Sequence, residues 1–392
     1  MNKQIVIAGG GIGGLAAALA CANAGAQVQL LERASAFGEV GAGIQLGPNV
    51  VKELVGWGLE SALRQVAAFP LALHVRSAST GAELGCLPLG ERTQELYGAP
   101  YATIHRTDMQ QLLLDAVKQR PQVNLQLGQR VSAFKQDDAG VQVCTHEGLT
   151  LVAQALVGAD GLWSVVRQQL LNDAAPRVSG HLAYRAMVRQ DSLPERLRSQ
   201  VVTAWLGPRL HLVQYPVRRG DWLNVVGIIQ GVVGGELDNW DHSANAGDLR
   251  KALAATCSPL QDLVGAIEQW RLWPLCDRPP MRGAHEQARG RVALLGDAAH
   301  PMRPYMAQGA GMAIEDAVCL QQELSRDVPM AQVLHSYAQR RWQRNARVQA
   351  RSIRNGEIFH VTGPMRWGRD LAMRSLGEKL LDVPWLYRGP DA

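Results

Sequence analysis

A short apolar run, Gln4-Ile5-Val6-Ile7-Ala8, breaks into Gly9-Gly10-Gly11-Ile12-Gly13-Gly14, and the Ala- and Leu-rich stretch Leu15 to Ala24 follows. The order is strand, glycine turn, helix, with G-x-G-x-x-G at Gly9, Gly11 and Gly14. Gly9 permits the tight turn, Gly11 lets a pyrophosphate approach the backbone, and Gly14 allows close helix–strand packing. The helix N-terminus offers unpaired N–H groups and partial positive charge to a phosphate. Gly25 ends the helix. Gln27 to Leu31 is a second strand, closed by Glu32-Arg33, and Glu32 stands 23 positions after Gly9. A carboxylate there accepts hydrogen bonds from ribose hydroxyls. These signals together predict a βαβ dinucleotide-binding unit at the N-terminus.

The chain has 392 residues, enough for two domains of usual size. A hydrophobic share of 47% and a charged share of 19% belong to a globular chain rather than a disordered one. The net charge is +5, but Lys and Arg are scattered without a run of five or six, so nucleic acid is not an expected partner. The six cysteines show no C-x-x-C pair, which predicts neither a metal site nor a disulfide framework. No apolar stretch reaches the length of a membrane span, and the N-terminal run lacks a cleavage signature. A cytoplasmic protein is the expectation.

Further elements follow from pattern. Asp108 to Gln119 reads as a helix, Val131 to Cys144 as a hairpin, and Leu151 to Val157 as another apolar strand. Between about 180 and 280 the texture changes. His181 to Val188, Val201 to Leu206, Leu210 to Val217 and Trp222 to Gln230 read as an antiparallel sheet suited to covering a ligand. Arg291 to Leu295 returns to the buried-strand style, and the chain is mainly helical from Gly309. The expected fold is α/β: a Rossmann-like dinucleotide-binding domain assembled from separated segments, with an inserted β-sheet substrate domain and C-terminal helices. The segments are 1–72, 98–178 and 280–325 for the nucleotide domain, 73–97 and 179–279 for the sheet domain, and 326–392 for the helical region.

The glycine turn alone does not choose between NAD and FAD. Two further segments favour a flavin. Val157-Gly158-Ala159-Asp160-Gly161 follows a strand, and so does Leu295-Gly296-Asp297-Ala298-Ala299-His300-Pro301. An acidic side chain at the C-terminal end of a strand sits in the ligand crevice of an open α/β sheet. Asp297 suits the ribityl chain of a flavin, while a helix cap remains the other reading of Asp160 and Asp297.

With these three segments in this order, nearly the whole chain resembles the class A flavoprotein aromatic hydroxylases. Gly41 to Asn49, Ile104-His105-Arg106, His211 to Pro216 and Met306 to Ala310 look like the 3-hydroxybenzoate 6-hydroxylases, and are similar in salicylate hydroxylases and 6-hydroxynicotinate 3-monooxygenase. The resemblance implies FAD as cofactor, with NADH or NADPH and O₂ as co-substrates. It also implies hydroxylation of a small aromatic acid through a flavin C4a-hydroperoxide. Arg106 would lie along the FAD phosphates and ribityl chain, Val131 at the adenine side, and Gln45 near the ribityl or isoalloxazine. Gly309, Ala310 and Gly311 would present helix amides to flavin N1 and O2, where the reduced ring is anionic. Pro301 would border the carbon at which oxygen reacts. Arg33 and Gly296 complete the cofactor set.

The resemblance makes His211 and Tyr215 the proton-handling pair, since removing a phenol proton gives the electron-rich ring that electrophilic hydroxylation needs. Side chains alternate along a strand, so positions 211 and 215 share one face. Tyr305 is a third catalytic candidate. The chain departs from its relatives at Pro304, where the 3-hydroxybenzoate enzymes carry Gln, and at Gln45 and Tyr305, where the 6-hydroxynicotinate enzymes carry His. There is no second G-x-G-x-x-G, so the nicotinamide is expected to bind transiently. Two other readings stay open at this point: a hydroxylase of a larger scaffold such as an antibiotic or quinone precursor, and a flavin-binding reductase or sensor. The stretch Gly363 to Tyr387 mixes Met365, Trp367, Leu371 and Trp385 with basic residues, and is expected to pack on the body or at a homodimer contact rather than on a membrane.

Overall fold

In the computed structural model, which describes residues 3–38, 41–231 and 246–390, strand β1 (Gln4–Ala8) is buried at four consecutive positions. Continuous burial is what a strand between two helical layers requires. The chain divides into two units, and β1 belongs to the first: 1–40, 107–177 and 277–352. Its six-stranded sheet runs Ala288–Arg289, Val292–Leu294, Ala155–Gly158, β1, β2 (Gln27–Glu32), Val123–Leu127. All neighbours are parallel except the first pair. Helix α1 (Ile12–Asn23) connects β1 to β2, with ten of its twelve residues buried. Helix α2 (Gly309–Leu324) packs against α1. The stretch expected as one strand over 151–157 is two. Thr150–Ala153 pairs antiparallel in a small three-stranded sheet, whereas Ala155–Gly158 joins β1, and the Gln154 amide bonds the Gln4 carbonyl between them.

The second unit comprises 41–106, 178–276 and 353–392. Its seven-stranded sheet contains, in chain order, β3 (Arg177–Arg189), β4 (Val202–Gly207), β5 (Leu210–Val217) and β6 (Trp222–Gln230), arranged β3-β6-β5-β4. The antiparallel register places Ala183, Ile228 and His211 in one row, Arg185, Val226 and Val213 in the next, and Met187, Asn224 and Tyr215 in the third. Residues paired in register share a face. The opposite face is apolar: Tyr184, Leu212, Leu223 and Val225 pack with Leu249, Leu260 and Leu263 of two covering helices. One face is therefore core, and the other carries the polar side chains.

The grouping differs from the sequence expectation in two places. Residues 41–72 and 98–106 fall with the sheet unit, because the Gly43 amide donates to Asn224 Oδ1 at 2.7 Å and the Thr103 hydroxyl to the Pro216 carbonyl. Residues 326–352 fall with the nucleotide unit. There Tyr337 and Arg341 of α3 (Met330–Phe359) bond Leu294 and Asp316. Helix α4 (Gly363–Leu376) buries only Arg369 and Met373, while Met365, Trp367 and Leu371 are each at least two-thirds exposed in the single chain. No helix among the described residues is long and apolar enough to cross a membrane.

Candidate active site

The glycine turn behaves as its chemistry demands. Gly9 has φ +102°, and a Cβ there would stand 2.5 Å from the Ala159 carbonyl oxygen. A Cβ on Gly14 would stand 1.7 Å from the Gly9 oxygen, so that position admits glycine alone. At Gly11 a Cβ would meet nothing within 4 Å: the space in front of the backbone is open. No side chain caps α1. Glu32 accepts from the Gly10 amide at 2.5 Å and the Ala34 amide at 2.8 Å, which fixes its carboxylate beside the turn. Each oxygen keeps a lone pair for a further donor. Arg33 is exposed at the end of the same strand. Val131 starts the next small sheet, close to this strand end, since the Gln129 amide donates to the Glu32 carbonyl.

Asp297 is the exposed member of an otherwise buried turn from Gly296 to His300. Its Oδ1 lies 3.9 Å from where a Gly309 Cβ would be, at the start of α2. That helix start has no side-chain cap and no acidic residue in its first turn, so the amides around Gly309, Ala310 and Gly311 keep their positive character. The turn is held from behind. Arg167 donates to the carbonyls of Ala298 and Ala299, and Asp316 accepts from the Gly296 amide and from His300 Nε2 at 2.6 Å. Arg341 and Asn345 bond the other Asp316 oxygen; burial pushes its carboxyl up, but His300 and the Arg341 guanidinium, with the Asn345 hydrogen bond, hold it below the usual carboxylate range. Pro301 is buried, its carbonyl taken by Gln349. Tyr305 is buried in the following short helix, and burial pushes its phenol up.

Asp160 turns out as a cap. Its oxygens accept from the Ser164 hydroxyl at 2.5 Å and the Val166 amide at 3.1 Å, ordering the start of the helix Val165–Leu171. Burial raises its pKa, against the hydrogen bond from Ser164. The segment still serves the turn, because Ala159 and Asp160 form the wall against which Gly9 packs.

In the second unit, His211 and Tyr215 share the polar face of β5, as alternation requires, and both are buried. Burial and the neighbours His360 and His181 push the His211 imidazole well below the usual histidine range, so it is neutral at pH 7. Its Nδ1 lies 2.7 Å from His360 Nε2. Burial pushes the Tyr215 phenol up, opposed by Arg185 and by a hydrogen bond from the Gln45 amide. Gln45 Oε1 in turn accepts the Tyr101 hydroxyl at 2.7 Å. Tyr215 is thus a hydrogen-bond donor rather than a base at neutral pH. Arg106 is exposed, anchored through its backbone to the Ala42 carbonyl.

Three residues on this face escaped the sequence reading: His181, Arg185 and His360. The first two stand four apart on β3, and the alternation argument used for 211 and 215 applies to them equally. His360 carries no such signal, since it lies 149 positions from its partner. Among the described residues no group of His, Cys, Asp and Glu is placed to hold a metal.

The first unit fits a dinucleotide. An open glycine backbone, an acidic residue at the second strand end, and an exposed carboxylate beside an uncapped helix start are the groups that a pyrophosphate, a ribose and a ribityl chain with flavin ring require. Residues 2–352 match the model of the FAD binding domain family. The chain is 39% identical over 364 residues to 3-hydroxybenzoate 6-hydroxylase 1 of Aquipseudomonas alcaligenes, covering 93% of this chain and 91% of that protein. It is 35% identical over 326 residues to 6-hydroxynicotinate 3-monooxygenase of Bordetella bronchiseptica, covering 81% and 82%. Among solved structures it is similar to Klebsiella pneumoniae HpxO complexed with FAD and uric acid, with a TM-score of 0.86 at 25% identity and coverage of 97% and 94%.

Proposed function

The chain belongs to the FAD-binding aromatic-ring monooxygenases, and from that premise we propose that it hydroxylates a small phenolic or heteroaromatic carboxylic acid, ortho or para to an existing ring hydroxyl. The observation that carries this reading is the polar face of β5. It presents a neutral imidazole, His211, and a protonated phenol, Tyr215, four residues apart. One accepts a proton and the other donates a hydrogen bond, which is what a phenolic substrate needs at its hydroxyl and at a second polar group.

FAD held there would supply the redox chemistry, with NAD(P)H as the reductant and O₂ as the source of the inserted oxygen. The chain's residues do the rest. In the first unit Gly9, Gly11 and Gly14 would receive the pyrophosphate, Glu32 the ribose and Asp297 the ribityl hydroxyls, with Arg33, Asp160, Val131, Gly296 and Pro301 beside them; in the second unit Gln45 and Arg106 are the residues offered to the cofactor. The amides of Gly309, Ala310 and Gly311, at an uncapped helix start, would stabilise negative charge on the reduced cofactor. His211 draws the proton from the substrate hydroxyl, which raises electron density at the ring carbon that is attacked. Tyr215 and Tyr305 stay protonated and orient. A cytoplasmic location fits this reading, since reduced nicotinamide is available there and six free cysteines stay reduced.

The test is a panel of 3-hydroxybenzoate, salicylate and 6-hydroxynicotinate with NADH or NADPH under ¹⁸O₂. The expected result is substrate-stimulated oxidation of the nicotinamide and a product heavier by one ¹⁸O. Stimulation without label would favour a flavin reductase, and no stimulation by any member would overturn the assignment to this substrate class.

A further inference from the structure

Among the described residues Arg185 has no carboxylate partner. Its guanidinium lies 5.2 Å from the centre of the Trp273 ring, and its Nε is buried with no hydrogen-bond partner among the described residues. Burial and then the like charge of Arg106 weigh against its charge, and the Tyr215 phenol that faces it is protonated and so supplies no anion. A buried donor left unpaired is costly, and arginine offers five donors in one plane. The Trp273 ring below the guanidinium carbon accepts no N–H bond in the plane of the group, so the in-plane donors are left for a planar acceptor. The register puts Arg185 in the row between His211 and Tyr215, on the same face of the sheet. A carboxylate is the planar anion whose two oxygens match a guanidinium edge.

We propose that Arg185 is the counterion that holds the carboxylate of the aromatic substrate, and that it sets a preference for acids over neutral phenols. The inference rests on the aromatic-acid reading above and adds the residue that selects the acid. Arg185 binds and orients, while Tyr215 and His211 meet the ring substituents. The guanidinium offers paired donors in one plane, so lysine, a point charge without a fork, is a poor replacement.

The experiment compares equilibrium binding of benzoate and benzamide, neither of which carries the hydroxyl needed for turnover, by perturbation of the flavin spectrum of the holoenzyme. The native enzyme is expected to bind benzoate at least about tenfold more tightly than benzamide, and Arg185→Met to bring the two within about twofold. Arg185→Lys is expected to fall between them, and it serves as the probe if Arg185→Met does not fold. An equal preference for the acid in the native enzyme and in the variants would overturn the proposal, as would no preference in the native enzyme. The outcome is independent of turnover. Acid selectivity lost in Arg185→Met, with no hydroxylation of any phenolic acid, would leave Arg185 as an anion site and remove the hydroxylase reading.

Discussion

His211 Nδ1 lies 2.7 Å from His360 Nε2, in a cluster completed by His181, whose ring centre is 4.8 Å from that of His360. Three imidazoles in one buried cluster cannot all be charged, and a hydrogen bond between two ring nitrogens needs one proton and one lone pair. The pair therefore fixes a tautomer. One ring donates, and the neutral form of His211 is favoured.

From this follows a pH dependence. The acidic limb of the kcat/KM profile should lie below about pH 6.5, the ordinary histidine value, because burial and then His360 push His211 down. His360→Gln removes one of those causes, so the limb should move to higher pH. His360 is a positioning residue here, and the shift in the profile is the readout that a merely structural role would not produce. An unmoved limb with a uniformly lower rate would deny it that role. Stability carries the same sign. Below about pH 6.5 the unfolded chain takes up a proton that folded His211 refuses, so unfolding free energy should fall as the pH drops through that value.

Tyr215 gives the opposite expectation. Burial raises its phenol pKa, so it remains protonated throughout the neutral range and does not act as the base. Tyr215→Phe should lower kcat/KM by about one to two orders of magnitude through the lost donor, without altering the acidic limb. Loss of that limb in Tyr215→Phe would reassign the base to Tyr215.

The two glycines of the N-terminal turn separate folding from cofactor binding. Gly14→Ala forces a Cβ to within 1.7 Å of the Gly9 oxygen and should leave little folded protein in a thermal melt. Gly11→Ala meets no protein atom within 4 Å and its φ of −69° suits alanine, so the chain should fold with a near-native melting temperature when stripped of flavin. Its FAD content after purification should fall, because the methyl group enters the open space proposed for the pyrophosphate. Full FAD retention in Gly11→Ala would move the pyrophosphate elsewhere.

The N-terminal unit was legible because its signals are local and mutually redundant: strand, glycines, helix, strand and acid agree within 33 positions. Asp160 was legible only as an acid at a strand end. Its oxygens were drawn to Ser164 and Val166, a competition that the sequence offers but does not decide. On the sheet face, alternation placed His211 and Tyr215 together. It could not reveal His360, which arrives from the end of a long helix, nor the Trp273 ring under Arg185, which comes from a separate strand. Contacts of this kind depend on strand order, and strand order leaves no periodicity.

The network behind Asp297 was equally hidden, and it yields the prediction with the largest effect on stability. Asp316 is fully buried and receives His300, the Gly296 amide, Arg341 and Asn345. Asp316→Asn keeps the shape but removes the anion, leaving Arg341 with Glu315 as its remaining carboxylate partner. Breaking one member of a buried ionic network costs about 3–5 kcal/mol. The expectation is a loss of that order in denaturant unfolding, with flavin binding weakened as well if Asp297, which Gly296 and His300 flank, takes the cofactor role proposed for it. The folded pKa of Asp316 is depressed, so its stabilisation is present above about pH 3.9, the unfolded carboxylate value, and is lost as the pH falls toward the folded one. The native enzyme should therefore lose stability in acid more steeply than Asp316→Asn. A variant of native stability with reduced FAD affinity would confine Asp316 to the cofactor, and one with the same acid slope as the native enzyme would remove it from the acid transition.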